Sequence, residues 1–444
     1  MKAISRFLLF FSLVLCPLAL QAQSVFDQVQ LSLNSADGVY RKGETVNVSA
    51  RYTGDGCAKV LMQVVSYDNV LSEQELTLFG AEQLIYSQEA ADPVSVIVKV
   101  SPADNPKTFI SIGYLVTPEV FVPGFTTPSD LKEFWEAELA RMRALKPEVQ
   151  VFPAVGVSEE DAGKFCCYKF EINMPEGNPC RGYVAYPRDA APGSLPIYLF
   201  VHSAGVTRPW NHDTAEKVLS LARKGYLAVD INAHGFLSDQ PKEYYEALEA
   251  GELKNYSGRD FTGNSDYYFH NMYLRDVRGL DYVTTLPVWD GKRLLVHGES
   301  QGGGQALALA GIDARVTHCV AIVPALTDMG AVLDGRKCGW PGWANKKRAA
   351  TPLGPSVLAY HDGATLVSMF GGKLYVEAGN ADLTCDPAAV SAGFNNAGGA
   401  RLKQIIYYPW RTHTSGGMGK GDREKWEKEV LPIREAFFNA YLSE

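Results

Sequence analysis

The chain has 444 residues, a formal net charge of −8 and 46% hydrophobic residues. That length exceeds one typical domain and leaves ample apolar content for a real core, while the acidic balance argues against a nucleic-acid partner. Two domains are expected.

Lys2 and Arg6 precede an apolar stretch over residues 7–20 that is too short to span a bilayer comfortably and is followed by Gln21-Ala22-Gln23. Residues 1–22 therefore read as a signal peptide. Cleavage near Ala22 is expected rather than lipoprotein processing at Cys16, because Leu15 stands where that processing needs a small residue. No other uninterrupted apolar stretch is long enough to be transmembrane, so an exported protein, periplasmic or secreted and without a membrane span, is expected. Seven cysteines remain after processing, and none forms a Cys-x-x-Cys pair. An odd number argues against a full disulfide framework, and a zinc site has little support. Cys338 and Cys385 are the pair to test first for a disulfide, against the reading of buried free thiols.

Residues 23–117 carry short alternating segments, among them Thr45-Val46-Asn47-Val48-Ser49 and Phe109-Ile110-Ser111-Ile112-Gly113-Tyr114, separated by turn residues such as Asp37-Gly38. Period-two strands without a helical run between them predict a small all-β, immunoglobulin-like sandwich. It shows no cluster with obvious chemistry and reads as a spacer or packing module before it reads as a carbohydrate-binding one. Residues 118–128 are proline-rich and suit a linker lying against the surface. The remainder, 129–444, is expected to be one α/β domain. Ser129 or Asp130 can cap a helix through Phe134, Trp135, Leu139 and Met142, and residues 165–172 and 182–186 suggest a hairpin at a sheet edge. From Leu195 strands alternate with helices: strands over 197–201, 227–231, 316–323, 373–378 and 404–408, and helices over 213–224, 266–286 and 422–442, the last with a kink at Pro432. This alternation requires a doubly wound, mostly parallel sheet covered on both faces. A polar, aromatic insertion spans 236–264, and a Gly-, Pro- and Trp-rich one spans 325–372.

The chemistry centres on Gly298-Glu299-Ser300-Gln301-Gly302-Gly303, which follows the apolar run Leu294-Leu295-Val296 and opens a small-residue helix. In a strand-turn-helix context Gly-x-Ser-x-Gly is the nucleophile elbow of an α/β-hydrolase, although glycine-rich turns also serve as plain connections. An elbow needs an acid and then a histidine later in the chain. Only His318, His361 and His413 follow Ser300; His318 lies in an apolar strand and His361 near the start of a predicted helix, whereas His413 follows the strand ending at Tyr408. His413 is the expected base. Asp382, beyond the 373–378 strand, is the expected acid, with Asp386 ahead of Pro387 as the fallback. The oxyanion donors expected are the backbone amides of Gln301 and, from the loop His202-Ser203-Ala204-Gly205, of Ala204. His202 reads as structural, and His234 is a candidate substrate-binding residue lining the pocket. Tyr267, Tyr268, Trp340 and Trp343 fit either core or a sugar-stacking surface.

These residues resemble the acetyl xylan esterase and cephalosporin C deacetylase family, carbohydrate esterase family 7, over residues 118–444. The resemblance rests on Pro128-Ser129-Asp130-Leu131-Lys132-Glu133-Phe134-Trp135, on Tyr267-Tyr268 through Arg275-Asp276-Val277-Arg278 to the Ser-Gln-Gly-Gly elbow, and on Asp382-Leu383-Thr384-Cys385-Asp386-Pro387. It implies an α/β-hydrolase with Ser300 as nucleophile, Asp382 as acid and His413 as base, no cofactor and no metal. The implied activity is deacetylation of sugars, in acetyl xylan or acetylated oligosaccharides, through an acyl-enzyme. The chain departs from the family where Asn232-Ala233-His234 replaces Arg-Gly-Gln and where Thr414 follows the histidine in place of glutamate. A serine peptidase of the same fold and a catalytically silent glycan-binding protein are the alternatives. The sequence leaves the oligomeric state open.

Overall fold

The computed structural model describes residues 28–208, 211–414 and 417–444; the signal-peptide expectation for residues 1–22 lies outside them. Eight strands come first: β1 (Val29–Leu33), β2 (Val39–Tyr40), β3 (Thr45–Tyr52), β4 (Ala58–Ser66), β5 (Asn69–Leu78), β6 (Gln83–Glu89), β7 (Val94–Pro102) and β8 (Ile110–Val116). They form two sheets, ordered β1-β3-β6 and β2-β8-β7-β4-β5, antiparallel except for the short β2–β8 pairing. Every second residue of β3 from Val46 onward is buried, which turns Val46, Val48 and Ala50 toward Val60, Val64, Val98 and Ile112 of the opposite sheet.

The strip 118–128 is fixed in place. Phe121 and Phe125 are buried, Gly124 N–H donates to Asp328 Oδ1 (2.7 Å), and the Asn395 side chain donates to the carbonyls of Pro118 and Phe121, both at 2.9 Å.

A nine-stranded sheet follows, built from β9 (Val149–Pro153), β10 (Phe165–Ile172), β11 (Cys180–Pro187), β12 (Leu195–Val201), β13 (Leu227–Ile231), β14 (Trp289–Glu299), β15 (His318–Ile322), β16 (Lys373–Gly379) and β17 (Leu402–Tyr408). Its order is β17-β16-β15-β14-β12-β13-β11-β10-β9. β12 to β17 are mutually parallel, and β11, β10 and β9 extend one side in antiparallel register. Strands such as β13 and β15 are buried at every position, as a sheet covered on both faces demands.

The helices that matter below are α1 (Leu131–Ala144), α2 (Tyr268–Val283), α3 (Gln301–Ile312), α4 (Gly342–Ala349), α5 (Lys420–Glu429) and α6 (Leu431–Ser443). The expected helix over 422–442 is two helices: the first ends at Glu429, and Pro432, which has no N–H to continue it, stands in the first turn of the second. His361 closes the helix Gly354–His361 rather than opening it. Among the described residues no helix is long and apolar enough to cross a membrane. The Cys338–Cys385 disulfide does not form. All seven described cysteines are free; Cys338 Sγ faces Gly342 O, while Cys385 lies against His413.

Candidate active site

Parallel strands deliver their following loops to one edge of the sheet, and the strand order reverses around β12. The loop after β12 holds residues 202–205, the turn after β14 holds Ser300, the loop after β16 holds Asp382, and the loop after β17 holds His413. Four sequence-remote segments thus meet at one edge.

Ser300 sits between β14 and α3 with φ 59° and ψ −120°, a backbone state that side-chain-bearing residues rarely adopt. Its N–H donates to Ile322 O (2.9 Å), while its carbonyl accepts from Gly304 N–H (3.1 Å) and Ala325 N–H (2.8 Å). The corner is so tight that a Cβ on Gly298 would enter the carbonyl of Gly302, and one on Gly302 would enter that of Val201. Glycine is required at both positions for close backbone approach.

Ser300 Oγ donates to His413 Nε2 at 2.8 Å, and His413 Nδ1–H donates to Asp382 Oδ2 at 2.8 Å. Asp382 is fully buried, and its other oxygen accepts from Thr384 N–H (2.7 Å) and Cys385 N–H (2.9 Å). The carboxylate is therefore held by the turn that follows it. Asp386 instead caps the next helix by accepting from Ala388 N–H (2.9 Å), away from the histidine. Burial opposes a proton on His413, yet the Cys385 sulfur and the Asp382 carboxylate outweigh burial and hold the imidazole above its ordinary range. Burial pushes the Cys385 thiol up, so it stays neutral near pH 7 and the lasting cause is the charge of Asp382. Asp382, Cys385 and His413 also bring three metal-type donor atoms within 4.8 Å of one another. A metal there would have to displace the hydrogen bonds to Asp382 or Ser300.

The acid and base loops are joined directly. Asn380 N–H donates to Tyr408 O (3.0 Å), Ala381 N–H to Arg411 O (3.1 Å), and the Arg411 guanidinium to Glu299 Oε1 (2.8 Å), beside Ser300. The N-terminal sheets brace the same loops. Gly113 N–H donates to Pro409 O (2.8 Å), Asn380 Nδ2 to Asp37 O (2.8 Å) and Trp410 Nε1 to Leu31 O (3.1 Å). Tyr408, Trp410, Met418, Trp426 and Val430 belong to the same buried cluster as the sandwich core.

Facing Ser300, the loop after β12 is clamped from several sides. His202 is buried and pairs with Asp230, Ser203 Oγ donates to Glu299 O (2.9 Å), and Asn211 Nδ2 donates to the carbonyls of Ser203 (2.8 Å) and Ala204 (2.9 Å). Gly205 N–H is committed to Tyr256 Oη (3.1 Å), and Tyr256 O–H donates to Gln301 Oε1 (2.6 Å). Among the described residues the Ala204 and Gln301 amides have no such backbone acceptor. His234 lies behind this loop. Its ring bonds Tyr268 Oη through Nδ1 (2.7 Å) and Gly205 O through Nε2 (2.9 Å), and burial lowers its pKa to about 3. Both ring nitrogens are thus engaged within the protein, where they hold the loop. Sequence reasoning missed Tyr256, Asn211 and Arg411, which carry no local motif, and weighed Cys385, three residues after the acid, only for a disulfide.

The sheet and its site define an α/β-hydrolase. Comparison with known proteins narrows this further: the model of the acetyl xylan esterase family (AXE1) matches residues 119–341, and the chain belongs to that family. The match includes Ser300 and ends before Asp382 and His413. The acetyl esterase Axe7A of Xylanibacter ruminicola is 29% identical over 364 residues, 80% of each protein. Among solved structures, the acetyl xylan esterase from Paenibacillus sp. R4 aligns with a TM-score of 0.55 at 21% identity, over 73% of this chain and 98% of its own. Acetyl xylan esterase 1 from Thermoanaerobacterium sp. JW/SL YS485 aligns at 0.53 and 22%, over 67% and 92%. These structural likenesses speak for the fold, and the family for carbohydrate esterase activity.

Proposed function

We propose that the chain is an exported serine esterase that removes acetyl groups from carbohydrates through an acyl-enzyme on Ser300. The observation that supports this reading most is the unbroken hydrogen-bond chain Ser300 Oγ–His413–Asp382 at the strand ends of a carbohydrate esterase family member. In the proposed reaction His413 Nε2 takes the hydroxyl proton as Oγ attacks the ester carbon. Asp382 keeps the tautomer and balances the imidazolium. The Ala204 and Gln301 amides receive the developing oxyanion. Collapse breaks the bond to the sugar oxygen, which takes the proton from His413 Nε2 and leaves as an alcohol. Water then repeats the sequence, releasing acetate and restoring Ser300.

The test is acetate release from p-nitrophenyl acetate and from acetylated xylo-oligosaccharide by the purified protein and by Ser300→Ala. A loss of roughly 10³-fold or more in kcat is expected. Full activity in the folded variant would show that Ser300 is not the nucleophile.

A further inference from the structure

A cleft of about 430 Å³ opens beside the acid loop, between α4 and the turn joining β4 to β5, with Trp340, Trp343, Lys337, Asp68, Leu383 and Thr384 in its walls. That volume lies within the range of small-molecule sites, ~300–1,000 Å³. Two of these residues, Leu383 and Thr384, directly follow Asp382, so one wall is the segment that fixes the acid. Trp340 connects the cleft to Ser300 by a second route. Its carbonyl accepts from Leu326 N–H (2.9 Å), next to Ala325, whose N–H is bound to Ser300 O. Its ring lies 6.2 Å from that of Tyr256, which bonds both Gln301 and Gly205. Trp340 thus links the wall of the cleft to the oxyanion side of the site through packed side chains and backbone.

The lining is of the kind that recognises a sugar. Trp343 is 59% exposed, unusual for so large an aromatic, yet its position is fixed: the edge of its indole lies over Gly258, where a Cβ would collide with the ring. An indole face held in place and open to water offers a flat apolar platform to the C–H face of a pyranose. Around it Lys337 Nζ and Asp68 Oδ1, 3.2 Å apart, supply donors and an acceptor suited to hydroxyl groups. Asp68 comes from the N-terminal sheets, so both parts of the molecule contribute.

We propose that this cleft is a subsite for the sugar units flanking the acetylated residue, with Trp343 as its stacking platform and Asp68 as a wall supplied by the N-terminal region. The inference rests on the esterase reading above and extends it from the ester bond to the glycan chain. p-Nitrophenyl acetate carries no flanking sugar; acetylated xylotetraose does. For Trp343→Ala, the ratio of kcat/KM on acetylated xylotetraose to that on p-nitrophenyl acetate is expected to fall about 3–10-fold, the size of a lost aromatic stacking contact. Asp68→Ala is expected to lower the same ratio about twofold or more, the size of one lost hydrogen bond. Trp343→Phe, which keeps a ring, should retain most of the ratio, separating lost stacking from a folding defect. An unchanged ratio in Trp343→Ala overturns the subsite. Calorimetric titration with unacetylated xylotetraose decides the matter even if no esterase activity is found: Kd should rise at least about threefold in Trp343→Ala. Equal affinities, or no binding to the unaltered protein, overturn the proposal independently of the esterase reading.

Discussion

His413 faces a hydroxyl through one nitrogen and a buried carboxylate through the other, and this asymmetry sets its pH behaviour. The neutral ring is the form able to take the Ser300 proton, so kcat/KM falls as pH drops through the pKa of His413. Because Asp382 raises that pKa, the acid limb of a pH–rate profile should lie above the ordinary imidazole value of about 6.5. Asp382→Asn should shift the limb downward along with its loss of kcat, and a limb unmoved by that substitution would show that the pairing does not tune the base. Tyr256 makes a second residue-level prediction. Tyr256→Phe leaves Gly205 N–H and Gln301 Oε1 without their partner and loosens the loop that carries the Ala204 amide, so kcat should fall about tenfold at little change in KM, because small misplacements of reacting groups are costly. Steady-state kinetics on p-nitrophenyl acetate checks this. The two residues also differ in legibility. His413 could be reached from chain order and its place after a strand, whereas Tyr256 lies 45 positions from Gln301, in an insertion with no motif, and its role exists only once the chain has folded.

At the level of elements, strands buried on both faces were readable because burial imposes continuous apolar runs. β12 and β15 stand where Ile197 to Val201 and Val316 to Val323 pointed, within a few residues. β5, β6 and β9 escaped for the opposite reason. Each is an outermost strand of its sheet with mostly exposed side chains, so neither alternation nor an apolar run marks it. The joint of β14 and α3 carries its own prediction. In Gly302→Ala the added methyl meets the Val201 carbonyl, backbone against backbone, where neither can swing away. Overpacking of this kind costs about 1–3 kcal/mol. Chemical denaturation should register the loss as a lower midpoint at unchanged slope, and a midpoint equal to that of the unaltered protein would refute the steric reading.

Over the whole molecule, the sequence divides more cleanly than the structure does. Hydrophobic periodicity placed a β region before an α/β region, and the two appear in that order. What periodicity could not reveal is that the sandwich core includes Tyr408, Trp410 and Trp426, since contacts across several hundred residues leave no periodic trace. Gly113 tests what this joint does. A Cβ there would strike the Asn380 carbonyl, two residues before Asp382, and Gly113 also donates to Pro409 on the His413 side. Gly113→Ala should lower kcat on p-nitrophenyl acetate by about tenfold or more, because small misplacements of reacting groups are costly. A lower melting temperature with unaltered kcat would mean that the sandwich stabilises the molecule without aligning its chemistry.

The hydrogen bond from Trp410 to Leu31 spans 379 positions. During synthesis, therefore, the strands made first wait with an unfinished core until the loop after β17 and α5 have left the ribosome, and long-range closure of this kind slows folding. A chain that stops short of residue 408 loses more than its histidine: it leaves the inner faces of the earliest strands uncovered and prone to association.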